Sequence, residues 1–195
     1  MTMTAVDSPI DTILGRRSAT RLVEPAPTPD QLDTILRAAT TVPDHGALHP
    51  WRFVVVAGDA RRRFADALVA GAAAGGSPLD AARAAKVASK AYFAPMCVAV
   101  LAAPIEDHKV PVWEQVASAS CAGYAMTLAA HAIGLGAVWK SVPFLDSDEL
   151  RACFGATGAE RLLGWVNLGS IEGSEASRQV RPELADHVTY LELTA

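Results

Sequence analysis

Three short stretches of this chain combine residue types that can hold or polarise a small ligand. The first is Arg16-Arg17-Ser18, with Arg21 close behind. Guanidinium groups match phosphate oxygens through paired hydrogen bonds, and Ser18 adds a hydroxyl donor. The same arginines suit the end of a helix, where positive charge complements the macrodipole. Residue types alone leave both readings open.

The second stretch is Pro43-Asp44-His45-Gly46-Ala47-Leu48-His49-Pro50-Trp51. Histidines four apart converge on a helix, but Pro43, Gly46 and Pro50 oppose one here. Only Asp44 stands nearby as a further ligand, so the spacing gives little support to a metal site. As a loop, the segment can offer donors to a planar polar ligand, or simply carry two surface histidines. The third stretch is Gly134-Leu-Gly-Ala-Val-Trp-Lys-Ser141, where glycines permit close backbone approach and Trp139 and Lys140 supply a flat face and a cation. It follows a helical pattern and precedes a strand-like one, the reverse of a dinucleotide-binding turn, which argues against that fold. No GxSxG elbow is present, and no cysteine has a basic setting. Arg61-Arg62-Arg63 reads as a solvated face at a helix start.

Alternating helical and strand-like segments must position these residues. Ser8-Pro9-x-Asp11 is a capping pattern that opens a helix toward Arg17, with Ile10, Ile13 and Leu14 at helical spacing. Thr28, Pro29 and Gln31 cap a second helix, whose apolar face is Leu32, Ile35, Leu36 and Ala39. The connection between them, RSATRLVEPAP, is polar and proline-rich. Buried strands are predicted at Phe53 to Ala57, Pro95 to Ala102 and Leu162 to Leu168, with a short one at Gly136 to Ser141. Asp59 is positioned to cap a helix after the first strand, and Asp146 to Phe154 forms another capped helix. Ser77-Pro78-x-Asp80 opens a helix toward Lys90 with a weak apolar face, a candidate mobile lid. Pro111 to Ile133 is the longest helical candidate and is rich in small residues, which suits the core or a subunit interface; Gly134 ends it. Val188 to Leu193 looks like a final strand. This order is α+β, without regular βαβ repetition, and no linker divides residues 1–195, so one domain is expected.

Composition narrows the function classes. With 51% hydrophobic and 19% charged residues, the chain can bury a core and is not disordered. A net charge of -4 argues against general nucleic-acid binding. No apolar run reaches the roughly 18–20 residues that span a bilayer, and the N-terminus lacks a signal-peptide pattern. Cys97, Cys121 and Cys153 show no CxxC spacing and read as small buried hydrophobes, so a cytoplasmic location is expected.

Taken in order, ILGRRSATR, PAPTPDQLDTILRAA, VPDHGALHPWRFVVV, HKVPVWEQ, GLGAVWKS and LLGWVNLG resemble the FMN-dependent nitroreductase family, most of all its short single-domain, YdjA-like branch. The resemblance covers nearly the whole chain. It implies a three-layer α+β fold, with a mostly antiparallel central sheet flanked by helices, and an intertwined homodimer with FMN at the interface. By that resemblance Arg16, Arg17 and Ser18 hold the phosphate and ribityl end, Thr41 and His45 reach the flavin from the other subunit, and Val138, Trp139 and Lys140 line it from the late strand. Leu128 to Ile133 matches where the branch meets a nicotinamide nucleotide, and helix packing explains that segment equally well. The implied activity is NAD(P)H-dependent, ping-pong hydride transfer through FMN to a nitroaromatic, quinone or similar small-molecule acceptor. A flavin-binding or flavin-sequestering protein without turnover is the alternative, and a cofactor-free structural dimer ranks last. Three positions depart from the family pattern. Thr20 stands where a second basic residue is common, with Arg21 next to it; His49 replaces a common glutamine; Lys140 replaces the branch's arginine and loses its planar fork. Arg178 and Arg181 are candidates for a C-terminal phosphate contact.

Overall fold

A computed structural model describes residues 8–75, 79–172 and 182–191 of the chain. Helix α1 spans Pro9–Gly15 and is opened by a complete capping box between Ser8 and Asp11. A two-residue strand β1, Leu22–Val23, precedes α2, Pro29–Ala39, where Thr28 and Gln31 form a second capping box. Strand β2, Trp51–Ala57, leads to α3, Ala60–Ala74, and then α4, Ala81–Ala88, runs into a 3-10 turn at Ser89–Tyr92. Strand β3 is Met96–Ala102, α5 is Val112–Ala132, β4 is Gly136–Lys140, α6 is Asp148–Cys153 and β5 is Arg161–Ile171.

The five strands form one sheet in the order β1-β5-β3-β2, and β4 also pairs with β5. Every pairing is antiparallel. Side-chain alternation along the strands divides the interior into two layers. Val98, Val100, Val166 and Leu168 face α2 and α5, where Ile35, Ala122 and Met126 complete one core. Cys97, Ala99, Leu101 and Trp165 face the opposite way, onto Phe64 and Leu68 of α3 and Leu150 of α6. Helices on both sides explain why β3 is buried along its whole length and reads as a continuous apolar run. The fold is thus the helix–sheet–helix α+β arrangement expected from the sequence.

Several local expectations need correction. Asp59 makes no side-chain cap on α3. Asp80 caps α4, which ends at Ala88 rather than Lys90; Ser77 and Pro78 lie outside the described residues. Ser147, not Asp146, caps α6. Strand β1 lies within the polar connection and was not foreseen, because two residues are too few for a period. The segment Val188 to Leu191 is not a strand: Tyr190 and Leu191 are exposed and pair with nothing in the sheet, and the last residues of that expectation lie outside the described ones. Only Cys97 is buried; Cys121 is exposed and Cys153 half-buried. Among the described residues, no helix is long and apolar enough to cross a membrane.

Candidate active site

The first cluster forms where α1 ends beside β4. The capping box starts α1, and the chain leaves it in extended conformation at Arg16. The Ala19 N–H then donates to the Ala137 carbonyl at 3.0 Å, which fastens residues 16–19 to the start of β4. Two of the three expected stretches therefore meet, as Arg17 to Ala19 lies against Gly136 and Ala137. Arg17, Ser18 and Ala137 line a cleft together with Thr127 and His131 of α5.

The two arginines divide the readings that their types left open. Arg17 turns its Nη1 back onto the carbonyls of Leu14, Gly15 and Arg16 at 2.8, 3.1 and 2.9 Å. That is the helix-terminating role. Arg16 and Ser18 have no side-chain partner among the described residues. Their donors remain available to a ligand. Arg21 pairs with Glu172 at 2.5 Å on the surface, which gives it a structural partner outside the cluster.

Strand β4 separates the next three candidates. Successive side chains of a strand point to opposite faces, so Val138 and Lys140 lie on one side and Trp139 on the other. Trp139 packs on α5, where a Cβ at Gly123 would fall 2.5 Å from its ring, and its Nε1 donates to the Leu163 carbonyl at 3.3 Å. The Lys140 ammonium sits 3.5 Å from the centroid of the Phe93 ring. Burial pushes the Lys140 pKa down, and the neighbouring Lys90 adds to the shift. Asn167, almost fully buried, donates from Nδ2 to the Val138 carbonyl at 3.4 Å. Phe93, Lys90 and Asn167 carry no sequence signal, since nothing in a lone aromatic, lysine or asparagine marks a site.

Thr41 and His45 lie elsewhere. The Thr41 hydroxyl donates to Ala38 O at 2.9 Å and finishes α2. His45 places Nδ1 2.8 Å from Oε2 of Glu114, in the first turn of α5. His49 turns instead to Asp44, with Nδ1 3.3 Å from its carboxylate. The two histidines thus address different carboxylates. Glu114 falls within HKVPVWEQ, a stretch whose residue types mark no role for it. From Glu114 to His131 the α5 axis rises by about 25 Å at 1.5 Å per residue. Within one chain, His45 and Arg17 are therefore held at opposite ends of this helix.

The family model described as "Nitroreductase family" matches residues 13–170. The chain belongs to the nitroreductase family. A relative described as "Putative NAD(P)H nitroreductase YdjA", from Escherichia coli (strain K12), is 40% identical over 184 residues, covering 93% of this chain and 98% of the relative. Among solved structures, the nitroreductase-like family protein from Bacillus cereus superposes with a TM-score of 0.82 at 23% identity, covering 98% of this chain and 100% of the other. A nitroreductase with bound FMN from Bacteroides fragilis gives a TM-score of 0.73 at 23% identity, with coverage of 95% and 100%. These likenesses extend over nearly the whole of this chain and of each relative.

Proposed function

We propose that this nitroreductase-family chain is an FMN-dependent NAD(P)H oxidoreductase that reduces nitroaromatic, quinone or similar acceptors, and that it acts as a homodimer. The observation that carries this reading is the pair of unspent donors, Arg16 and Ser18, fastened beside a strand that bears a desolvated lysine. That donor set fits a phosphorylated, planar and anionic cofactor. Arg16 and Ser18 would hold the phosphate, and Val138 and Lys140 would face the ring system. Trp139 contributes its backbone and shapes the strand from behind, while Arg17 keeps the end of α1 closed. When bound, FMN supplies the hydride chemistry that NAD(P)H and the acceptor use in turn. A cation such as Lys140, held where water is partly excluded, stabilises negative charge more strongly than it could in bulk solvent.

The same geometry supports the homodimer. His45 is held at the far end of α5 from Arg17 of its own chain, so a flavin beside Arg16 would meet His45 only from a second copy. Helix α5 also presents the exposed side chains Trp113, Cys121 and Tyr124, and α1 presents Ile10, Ile13 and Leu14. Exposed apolar side chains grouped in this way mark an association surface. The test is the visible spectrum of the purified protein after FMN addition and desalting. Retention of about one FMN per chain, bleached by NADH or NADPH and restored by a quinone, is the expected result. A colourless protein would end this reading.

A further inference from the structure

The loop at the N-terminal end of α5 is held in a conformation that the chain does not adopt cheaply. Ala47 and His49 both have φ of 50°, and Gly46 has φ of 83°. This backbone is routine for glycine but costs other residues on the order of 1–2 kcal/mol each. Surrounding bonds impose it. The Asp44 carboxylate accepts the His49 N–H at 2.7 Å, and the Ser118 hydroxyl of α5 donates to the Pro43 carbonyl. Gln115 of the same helix ties down the neighbouring chain through Ile105 and Val110.

What the strained loop presents is His45. Its side chain is 65% exposed, yet its ring is fixed, with Nδ1 against the 29%-exposed carboxylate of Glu114. Nε2 has no partner among the described residues. A carboxylate behind one ring nitrogen decides which nitrogen keeps a proton when the ring is neutral, and leaves the other free for transfer. We propose that His45 is the proton donor to the acceptor under reduction and that Glu114 is its positioning residue. This role rests on the dimeric flavoprotein reading above, in which His45 of one copy enters the site of the other.

The balance requires one proton, which His45 is placed to deliver. Reduction of a quinone to a hydroquinone takes one hydride equivalent, drawn from NAD(P)H, and one proton. Reduction of a nitro group to a nitroso group also takes one hydride equivalent and one proton, breaks one N–O bond and releases water. The proton leaves Nε2 of the His45 imidazolium. The neutral ring keeps Nδ1–H toward Glu114, and solvent restores the Nε2 proton before the next turnover.

Rapid mixing of the FMN-loaded protein separates flavin reduction by NAD(P)H from re-oxidation by a quinone. H45N and E114Q are expected to slow re-oxidation about 100-fold more than reduction, the usual scale of general acid catalysis. Nitrogen NMR of the FMN-free chain gives an independent readout: the neutral His45 ring carries its proton on Nδ1 in the wild type and shifts toward Nε2 in E114A. Failure of the wild type to retain FMN would overturn the flavoprotein reading and this role with it. Retained FMN with an unchanged ratio of the two half-reactions in both variants overturns the role of His45 alone. A His45 tautomer that E114A does not move removes Glu114 as its positioning residue.

Discussion

The two ends of α5 carry opposite kinds of chemistry. At its C-terminal end, beside β4, the donors of Arg16 and Ser18 are unspent among the described residues and Ser18 lines a cleft with Arg17, so this end is built to receive something. At its N-terminal end nearly every polar group is already engaged: Asp44 with His49, Ser118 with Pro43, and Glu114 with His45. That end is rigid and finished, and it presents one ring outward. In the proposed homodimer, a receptor at one end and a preorganised tool at the other would form a single site once two copies pack with their α5 helices in opposite senses. On that packing, residues scattered along one chain would converge from two.

The strongest way to break this comparison is to prevent that packing. Tyr124 lies midway along the exposed face of α5, and a carboxylate there would be desolvated by any second copy at a cost of several kcal/mol. Y124E is expected to be monomeric by light scattering and to retain FMN at least about 100-fold more weakly, because half of each site is lost. A monomer that holds FMN like the wild type would show that one end of α5 suffices. A Y124E protein that stays dimeric would move the interface off this face.

A smaller effect sharpens the receptor end itself. A hydrogen bond to a charged group is worth about 1.5–3 kcal/mol, so R16A is expected to weaken FMN binding by roughly 10- to 150-fold in a titration. R17A removes only the guanidinium that closes α1 and should cost at most about 1 kcal/mol of stability, with FMN affinity within a few-fold of wild type. Equal losses in the two variants would erase the division of labour between these neighbours.

That division marks the limit of what the sequence makes legible. The capping boxes at Ser8 and Thr28, the buried strands and the long small-residue helix are local patterns, and the chain folds as they indicate. Arg16 and Arg17 are the same residue type in adjacent positions, and only the exit of the chain from α1 decides which one is spent. Trp139 and Lys140 look like one cluster in the sequence, yet strand alternation sends them to opposite faces, and Gly123, far away in sequence, leaves the space that fixes Trp139. The partnership of His45 with Glu114 spans 69 positions and carries no local signature. Segment type is a local property and could be read directly, whereas site membership depends on contacts that only the folded chain creates.

The smallest functional effect is expected from a network that belongs to neither end of α5. Arg52 on β2 grips Glu160 through Nε and Nη2 at 2.6 and 2.9 Å, and also donates to the Phe154 and Gly155 carbonyls after α6. The hydrogen bond from Arg52 holds the Glu160 carboxyl below its ordinary pKa, with Thr157 adding to the shift. A carboxyl depressed in the folded state contributes stability above its unfolded pKa and loses it as pH falls through the folded value. The wild type should therefore lose stability on acidification below about pH 4.5, the ordinary value for glutamate. E160Q cannot titrate, so its stability is expected to be lower than wild type at neutral pH and flatter across that acid range, as followed by denaturant midpoints. Because Glu160 touches neither the Arg16 cluster nor the His45 loop, FMN retention and dimer mass should not change. If E160Q also released FMN, the receptor end would extend across the sheet to α6, and α5 would no longer mark the boundaries of the site.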